Sequence, residues 1–521
     1  MPAMFVRHLL SKIPAANAVR TSLALVIACG LGLLSTNGTE AAPLKAGVAK
    51  VDVSHVDAGP PSPPCYVRAL AISDGTTTAV LCSIDAVSIG QIGHIRNDFM
   101  EKVRTALKKD HDLPPGNFLI NASHCHGVIC ADVDQRTVQC VAQALASMVS
   151  VKAGMGIGHE DRISENRRVR LKNGKEADVR HAYALPGDDQ IAGIGPIDPQ
   201  IGVLRLDRLD GRTLAVVYNF ACHPIQGVPT GANTADFTGF SSQVIEETLG
   251  SDAVALFVQG CGGDINPVRY KDVAHPRDGE PLGNMLALST LKAVRSIQTR
   301  DDATLSVLNA PLELPRADLN ERIEALEAEI PRMVKNLRGT SLNFQTFLPL
   351  LMRYEAGGEF PSAPAPAYLL DRKLGRSNLD KLDAANRANL TAYLQNIQTM
   401  EELTRMQTNL ALLKMHQAQN VAAGKRTIDV EVGGLRVGDF TLVTFPGELT
   451  VRIGLNLKER SKQKPVFVAG YTNGYIYYAP TAEQLLNVGN AQEDSDCILA
   501  PEWQAMFETK ALEVLEKLAS P

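Results

Sequence analysis

The chain has 521 residues, of which 45% are hydrophobic and 21% charged, and its 52 Lys and Arg against 57 Asp and Glu give a formal net charge of −5. This is the composition of an ordinary globular protein, and it excludes the disordered, collagen-like and disulfide-scaffold classes. With a pI near 6.2 and no stripe of Lys and Arg, the chain also lacks the electrostatic signature of a nucleic-acid-binding protein.

Residues 1–41 have the pattern of a secretory signal peptide. Three basic residues precede the apolar run 21–35, and the segment ends in the small residue Ala41. Because the run of 15 residues is shorter than the roughly 20 that a membrane-spanning helix needs, we expect cleavage, secretion or export to the periplasm, and no transmembrane segment. Cys29 follows Val-Ile-Ala as in a bacterial lipobox, which makes a lipid anchor at this residue the alternative.

Between residues 45 and 310, short β-branched runs alternate with helical stretches. The predicted strands are residues 78–84, 117–122, 202–206, 214–220 and 254–258, and the predicted helices are residues 95–108, 136–150 and 282–297. This βαβ-type alternation predicts an α/β fold in which mixed sheet layers are flanked by helices. Several of the strands are continuous apolar runs, as in sheets that are covered on both faces.

The pattern changes near residue 317. Hydrophobic residues recur at spacings of three and four over residues 319–337 and again over 403–413, which is helical periodicity. We therefore predict a helical insertion over residues 317–422 that is either a lid or a structural hairpin covering a sheet edge. Strand patterns resume at residues 427–432 and 440–445, so the α/β unit closes with C-terminal segments.

Five predicted strands end in short polar clusters that contain Gly, Pro or Asn. The clusters begin at Asn121, Cys222, Gln259, Phe445 and Gly470, and their sequences are NASHCHG, CHP, QGCGGDINP, FPGE and GYTNGYIYY. In open α/β sheets, ligands bind at the carboxyl ends of the strands. The five clusters are therefore expected to form one shared site.

Metal-ligating residue types are concentrated in these clusters. His124 and His126 are two residues apart, which in an extended segment puts both imidazoles on one face. Imidazole is the commonest zinc ligand, and a catalytic zinc uses about three protein ligands. His223 and the carboxylate of Glu448 complete a set that Zn²⁺ accepts. Taken singly, the His pair is as readily structural, and Glu448 is better explained as an N-terminal helix residue that interacts with the helix dipole.

Other catalytic motifs are missing from the sequence. It contains no G-x-S-x-G elbow, no G-x-G-x-x-G fingerprint and no P-loop. The thiol of Cys125 is a weak candidate nucleophile, because neighbouring residues of an extended segment point to opposite faces. Metal chemistry therefore remains the leading interpretation.

Taken together, these motifs resemble those of the neutral ceramidase family, zinc amidases that hydrolyse the N-acyl bond of ceramide. The matching segments run in the family's order over roughly residues 44–515. They are the His-x-His of His124 and His126, Asn-Arg in 165–168, Asp-Pro in 197–199, Cys-His-Pro around His223, Gln-Gly…Gly-Asp-x-x-Pro in 259–267, Phe-Pro-Gly-Glu in 445–448 and Asn-x-Tyr-x-x-Tyr in 473–478. The resemblance implies one ceramidase-like zinc hydrolase domain over residues 42–521.

The resemblance implies one zinc per chain, and its implied ligands are His124, His223, Glu448 and Tyr478. Tyr478 is preferred to Tyr475 because it occupies the last position of the family motif. The resemblance also implies that His126 and Arg167 lie near the scissile bond.

Residue chemistry adds two further catalytic candidates. His126 or Asp264 could act as the general base, and Arg167 or Asn266 could stabilise the oxyanion. An alternative role for Asp264 is to orient a zinc-ligating His.

The sequence departs from the family pattern at two positions. Asn266 stands where ceramidases carry the serine with a direct role in amide cleavage, and Asn490 stands where they carry a tyrosine beside the substrate carbonyl. We also expect no C-terminal immunoglobulin-like domain.

The resulting prediction is a secreted zinc-dependent hydrolase that cleaves an amide or ester bond by zinc-activated water. Its substrate is a small molecule or a ceramide-like lipid, and any contact with a membrane is peripheral. The alternatives are a catalytically inactive metal-binding protein of the same fold and a metal-dependent phosphoesterase, which would need two metals about 3.5–4 Å apart.

Overall fold

The computed structural model describes residues 44–179, 186–226, 233–250, 252–270, 277–357, 366–486 and 491–520. The predicted signal peptide with Cys29, and Asn490, lie outside these residues. The fold is mixed α/β as predicted, with nineteen strands and eleven α-helices among the described residues.

The strands are β1 (Lys45–Asp52), β2 (Tyr66–Ser73), β3 (Thr78–Ile84), β4 (Phe118–Ala122), β5 (Val149–His159), β6 (Ser164–Asn166), β7 (Arg168–Leu171), β8 (Glu176–Asp178), β9 (Ile191–Ile194), β10 (Gln200–Arg208), β11 (Thr213–Phe220), β12 (Val254–Gln259), β13 (Ile265–Pro267), β14 (Leu305–Pro315), β15 (Thr427–Val437), β16 (Phe440–Thr444), β17 (Glu448–Leu449), β18 (Phe467–Ala469) and β19 (Tyr478–Ala479). The helices are α1 (Phe99–His111), α2 (Val133–Ala146), α3 (Asp236–Leu249), α4 (Glu280–Ser296), α5 (Asn320–Asn336), α6 (Phe344–Gly357), α7 (Pro366–Lys373), α8 (Asn378–Ala422), α9 (Val451–Arg460), α10 (Ala482–Leu486) and α11 (Trp503–Ala519).

The largest sheet has eight strands in the order β12-β11-β10-β5-β1-β2-β3-β4. Only β3–β4 and β11–β12 are parallel pairs in it, and the other neighbours are antiparallel. Each parallel pair is joined by a helix, α1 in the first case and α3 in the second, because a parallel connection needs a long crossover. The βαβ pattern predicted from the sequence therefore occurs at the two edges of the sheet, and its central strands are antiparallel.

A second sheet of four strands, β14-β15-β16-β18, packs against the first. Leu70 and Leu204 of the large sheet share one buried cluster with Leu442 and Phe467 of the small sheet. Gly202 of β10 permits close contact, since a Cβ at this position would lie 2.2 Å from the ring of Phe467. Helices α1 to α4 pack on the outer side of the large sheet and α11 on the small sheet, which gives layers of helix, sheet, sheet and helix.

Helices α5 to α8 lie within the range 317–422, and that this range is a helical insertion stays a prediction. The last helix has 45 residues and packs along α5, with Leu319, Ile323 and Leu413 in a small buried cluster. Residues 358–365, between α6 and α7, lie outside the described residues. Movement of the insertion as a lid remains a prediction. No helix in the described ranges has both the length and the apolar character that crossing a membrane requires.

Candidate metal centre

Three side chains from distant parts of the chain converge at the ends of the strands. His124 follows β4, His223 follows β11, and Glu448 begins β17, and each is at most 2% exposed. Nε2 of His223 lies 3.1 Å from Oε2 of Glu448, and Nε2 of His124 lies 3.5 Å from the same oxygen. Ligand atoms about 2.1 Å from a tetrahedral zinc are themselves about 3.4 Å apart. The three groups therefore have the spacing of a metal-binding set.

The second nitrogen of each imidazole shows which atom is available to a metal. Nδ1 of His124 lies 2.6 Å from the carbonyl oxygen of Val87, and Nδ1 of His223 lies 3.1 Å from that of Ile265. A carbonyl oxygen only accepts hydrogen bonds, so Nδ1 carries the hydrogen and Nε2 of the neutral ring presents a lone pair. A metal ion bound by the two neutral rings would therefore meet the Nε2 lone pairs of His124 and His223 beside the carboxylate of Glu448.

Two tyrosines hold the carboxylate of Glu448 from the other side. The hydroxyl of Tyr475 donates to Oε1, and that of Tyr471 donates to Oε2 over 3.2 Å. Burial raises the pKa of Glu448, but the positive charges that His124 and His223 carry when protonated, and the hydrogen bonds from His223 and Tyr475, lower it by a larger amount, so the pKa lies well below its ordinary value. Glu448 is therefore an anion in the folded protein, as a metal ligand must be.

Tyr478 lies beside the three converging groups. It pairs with Glu448 in the parallel ladder of β17 and β19, and its ring is stacked on that of His223 with 6.5 Å between centroids. Its hydroxyl accepts a hydrogen bond from Nη2 of Arg167 over 3.2 Å. The structure thus brings all four predicted ligands into one region.

Arg167 is fully buried beside Tyr478. Its guanidinium contacts Oε1 of Glu493 over 2.6 Å and Oδ1 of Asn266 over 3.0 Å, and it also donates to the carbonyl oxygen of Gly263. Burial lowers the pKa of this guanidinium, but the charges of Glu493, Tyr478 and Glu448 raise it well above its ordinary value. Arg167 is therefore a fixed cation, and Asn266 orients it.

His126 is half-buried, with its ring centroid 5.2 Å from that of His124. The two rings were expected on one face of an extended segment. The backbone is not extended here, because His124 has φ = +67°. Tyr471, Asn473 and Tyr477 also have positive φ. Such conformations cost of order 1–3 kcal/mol each and are concentrated at functional sites.

Asp264 is buried beside the N-terminus of α9. Its Oδ1 accepts a hydrogen bond of 2.7 Å from the backbone NH of Val451, and its Oδ2 accepts one of 3.1 Å from Asn166. Burial raises the pKa of its carboxyl. These contacts connect Asp264 to a helix terminus and to Asn166 rather than to either candidate His ligand.

Tyr471 and Glu493 were not singled out in the sequence, and Tyr475 was considered only as the alternative ligand to Tyr478. Tyr471 and Tyr475 belong to the cluster that starts at Gly470, so their position was foreseen but not their hydrogen bonds to Glu448. Glu493 lies in a short turn that has no hydrophobic periodicity and no motif, and no local signal identifies it.

Fold and site together define an α/β protein with a buried His-His-Glu group that could hold a metal ion. The fold is that of the bacterial neutral ceramidases, which confirms the resemblance at the level of structure. The neutral ceramidase from Pseudomonas aeruginosa and a ceramidase complexed with C2 each match over 92% of this chain and 76% of their own, with a TM-score of 0.55 and 16% sequence identity. No protein-family model and no curated protein matches the sequence.

Proposed function

We propose that the chain is a zinc-dependent hydrolase that cleaves either the amide bond of an N-acyl, ceramide-like lipid or an ester bond. The observation that carries the proposal is the convergence of His124, His223 and Glu448, whose donor atoms face one another and are buried. The ceramidase fold supports an amide-cleaving activity, and Tyr478 is the proposed fourth ligand. A zinc ion held there would lower the pKa of a water molecule towards about 7 and polarise a carbonyl group.

The surrounding side chains supply the other parts of a hydrolytic site. His126 is the proposed general base, because its ring adjoins His124 and is half-buried rather than sealed. Arg167 and Asn266 are the proposed stabilisers of negative charge on the carbonyl oxygen. Hydrolysis by water does not require the serine that ceramidases carry at the position of Asn266.

Metal content and activity, measured together, test this proposal. We would compare the purified wild type with His124→Ala and His223→Ala, using the exposed His159→Ala as the matched control. A fluorescent N-acyl sphingosine and a short-chain ester serve as substrates. We expect one zinc per chain in the wild type and the control, and loss of both zinc and hydrolysis in the two site variants.

The same measurements separate the alternatives. Zinc without turnover of either substrate would favour an inactive metal-binding protein. Two metals per chain with phosphoester cleavage would favour a phosphoesterase, although the described residues contain one such three-donor group. A wild type that binds no zinc after reconstitution would overturn the proposal.

A further inference from the structure

We propose that Glu493 is a positioning residue of the site, whose carboxylate holds the guanidinium of Arg167 against the hydroxyl of Tyr478. The expected change in kcat rests on the proposed function. The contact between Glu493 and Arg167 does not depend on that function. We thereby assign a role to a residue that no sequence motif identifies.

The contacts of Arg167 show why its position depends on Glu493. The guanidinium is fully buried and binds four groups: the carboxylate of Glu493, the side-chain amide of Asn266, the carbonyl of Gly263 and the hydroxyl of Tyr478. Among these partners, Glu493 supplies the carboxylate, and its contact of 2.6 Å with Nε is shorter than those with Asn266 and Tyr478. A buried cation without its counter-ion is strongly unfavourable. Removal of the Glu493 charge should therefore displace Arg167.

Glu493 is itself held by a second ion pair. Its Oε2 lies 3.4 Å from Nη1 of Arg168, and Arg168 binds both oxygens of Asp494 at 2.9 and 3.2 Å. Two consecutive arginines thus face two consecutive acids, with Arg167 on Glu493 and Arg168 on Asp494. The two pairs differ in their contact with Tyr478, because Arg167 of the first pair donates a hydrogen bond to the Tyr478 hydroxyl.

This difference provides a matched control. Asp494→Asn removes a buried carboxylate from the same group of two arginines and two acids, here called the buried ladder, and from the same turn. It leaves the contact between Glu493 and Arg167 in place. Glu493→Gln removes the charge that holds Arg167 while keeping the size of the side chain. Glu493→Asp keeps the charge, which favours folding, but withdraws the carboxylate by one methylene.

The first measurement does not depend on activity. In protein with ¹⁵N-labelled arginine, the Nε–H signal of Arg167, assigned by its loss in Arg167→Lys, is monitored for exchange with solvent. We expect slow exchange in the wild type and in Asp494→Asn, and exchange at least tenfold faster in Glu493→Gln. Unchanged protection in Glu493→Gln would overturn the proposal even if the protein hydrolysed no lipid.

The second measurement is kinetic and uses the amide substrate. Misplacement of a positioned group lowers the rate of the chemical step more than binding, so we expect Glu493→Gln to lower kcat about 10- to 100-fold, with KM and zinc content within twofold of wild type. Glu493→Asp should fall between Glu493→Gln and wild type. Adding Glu493→Gln to Arg167→Lys should cause little further loss, because both act through one contact.

Two outcomes distinguish a positioning role of Glu493 from a role in fold stability and from failure of the proposed function. Equal losses of kcat in Glu493→Gln and Asp494→Asn would mean that the ladder only stabilises the fold, which overturns the proposal. Faster Nε–H exchange in Glu493→Gln, in a protein whose wild type turns over neither substrate, would support the contact while refuting the proposed function.

Discussion

Nε2 of His416 lies 2.7 Å from Oδ1 of Asp496, which joins the long helix α8 to the segment that follows the site tyrosines. The His416 ring also packs edge-on against Tyr477 with 4.4 Å between centroids, and Gln419 donates to the Tyr477 hydroxyl over 2.8 Å. Tyr477 directly precedes Tyr478. The C-terminal end of α8 is thus anchored to the segment that carries a proposed metal ligand.

Substitution of His416 should loosen this anchor. His416→Ala leaves the carboxylate of Asp496 without this partner and opens a cavity, which we expect to destabilise the protein by about 2–4 kcal/mol. Urea unfolding checks the loss, and limited proteolysis should show faster cleavage within α8. The exposed His159→Ala should change stability by less than about 0.5 kcal/mol, and equal effects of the two variants would contradict the assignment of an anchor.

Removal of the Tyr475 hydroxyl should weaken metal binding. Tyr475→Phe deletes the hydrogen bond to Oε1 of Glu448, and loss of such a partner of a metal ligand typically lowers affinity about 10- to 100-fold. Competition with a chelator measures the change. Tyr477→Phe is the matched control, because its hydroxyl contacts Gln419 rather than Glu448. A loss of the same size in both variants would count against a specific role for Tyr475.

The sequence predicted the candidate ligands because their signal is local. His124, His223 and Glu448 each follow a run of strand residues within a short polar cluster, and the rule that ligands bind at strand ends brings such clusters together. The helical character of α5 and α8 was predictable for a similar reason, since hydrophobic spacing is a property of consecutive residues.

Other features depend on contacts between distant segments. Glu493 meets Arg167 across 326 positions of sequence, and nothing near either residue encodes that pairing. The central strand β5 was missed because residues 154–158 alternate with glycine, a residue depleted in strands. Its glycines are explained by packing, since a Cβ at Gly154 or Gly156 would lie 2.6 Å from Ile297.

Gly263 is a position where an added methyl group should disturb the candidate metal centre directly. A Cβ there would lie 2.6 Å from the backbone oxygen of Glu448 and 2.9 Å from that of Leu449, and backbone cannot move aside as a flexible side chain does. We expect Gly263→Ala to destabilise the protein by about 1–3 kcal/mol and to weaken zinc binding. Gly339→Ala is the control, since nothing lies within 4 Å of its Cβ. Equal unfolding midpoints and equal zinc affinities would refute this prediction.

Asp494 should give the stability of the protein a dependence on pH that Asp494→Asn removes. Burial raises the pKa of Asp494 to about 7, even though Arg168 lowers it, whereas an unfolded aspartate has a pKa of about 3.9. The folded state therefore binds a proton between about pH 4 and 7 that the unfolded state releases. This contribution to stability is fully present below pH 4 and is lost as the pH rises through 7.

Urea unfolding of wild type and Asp494→Asn at pH 4.5, 6 and 8 isolates this contribution, because the other titrating groups are common to both proteins. We expect the variant to gain stability relative to wild type as the pH rises, by an amount on the order of a few kcal/mol across the window. Parallel pH profiles of the two proteins would contradict this prediction. They would mean that the bidentate contact with Arg168 keeps Asp494 ionised in the folded state throughout this pH range.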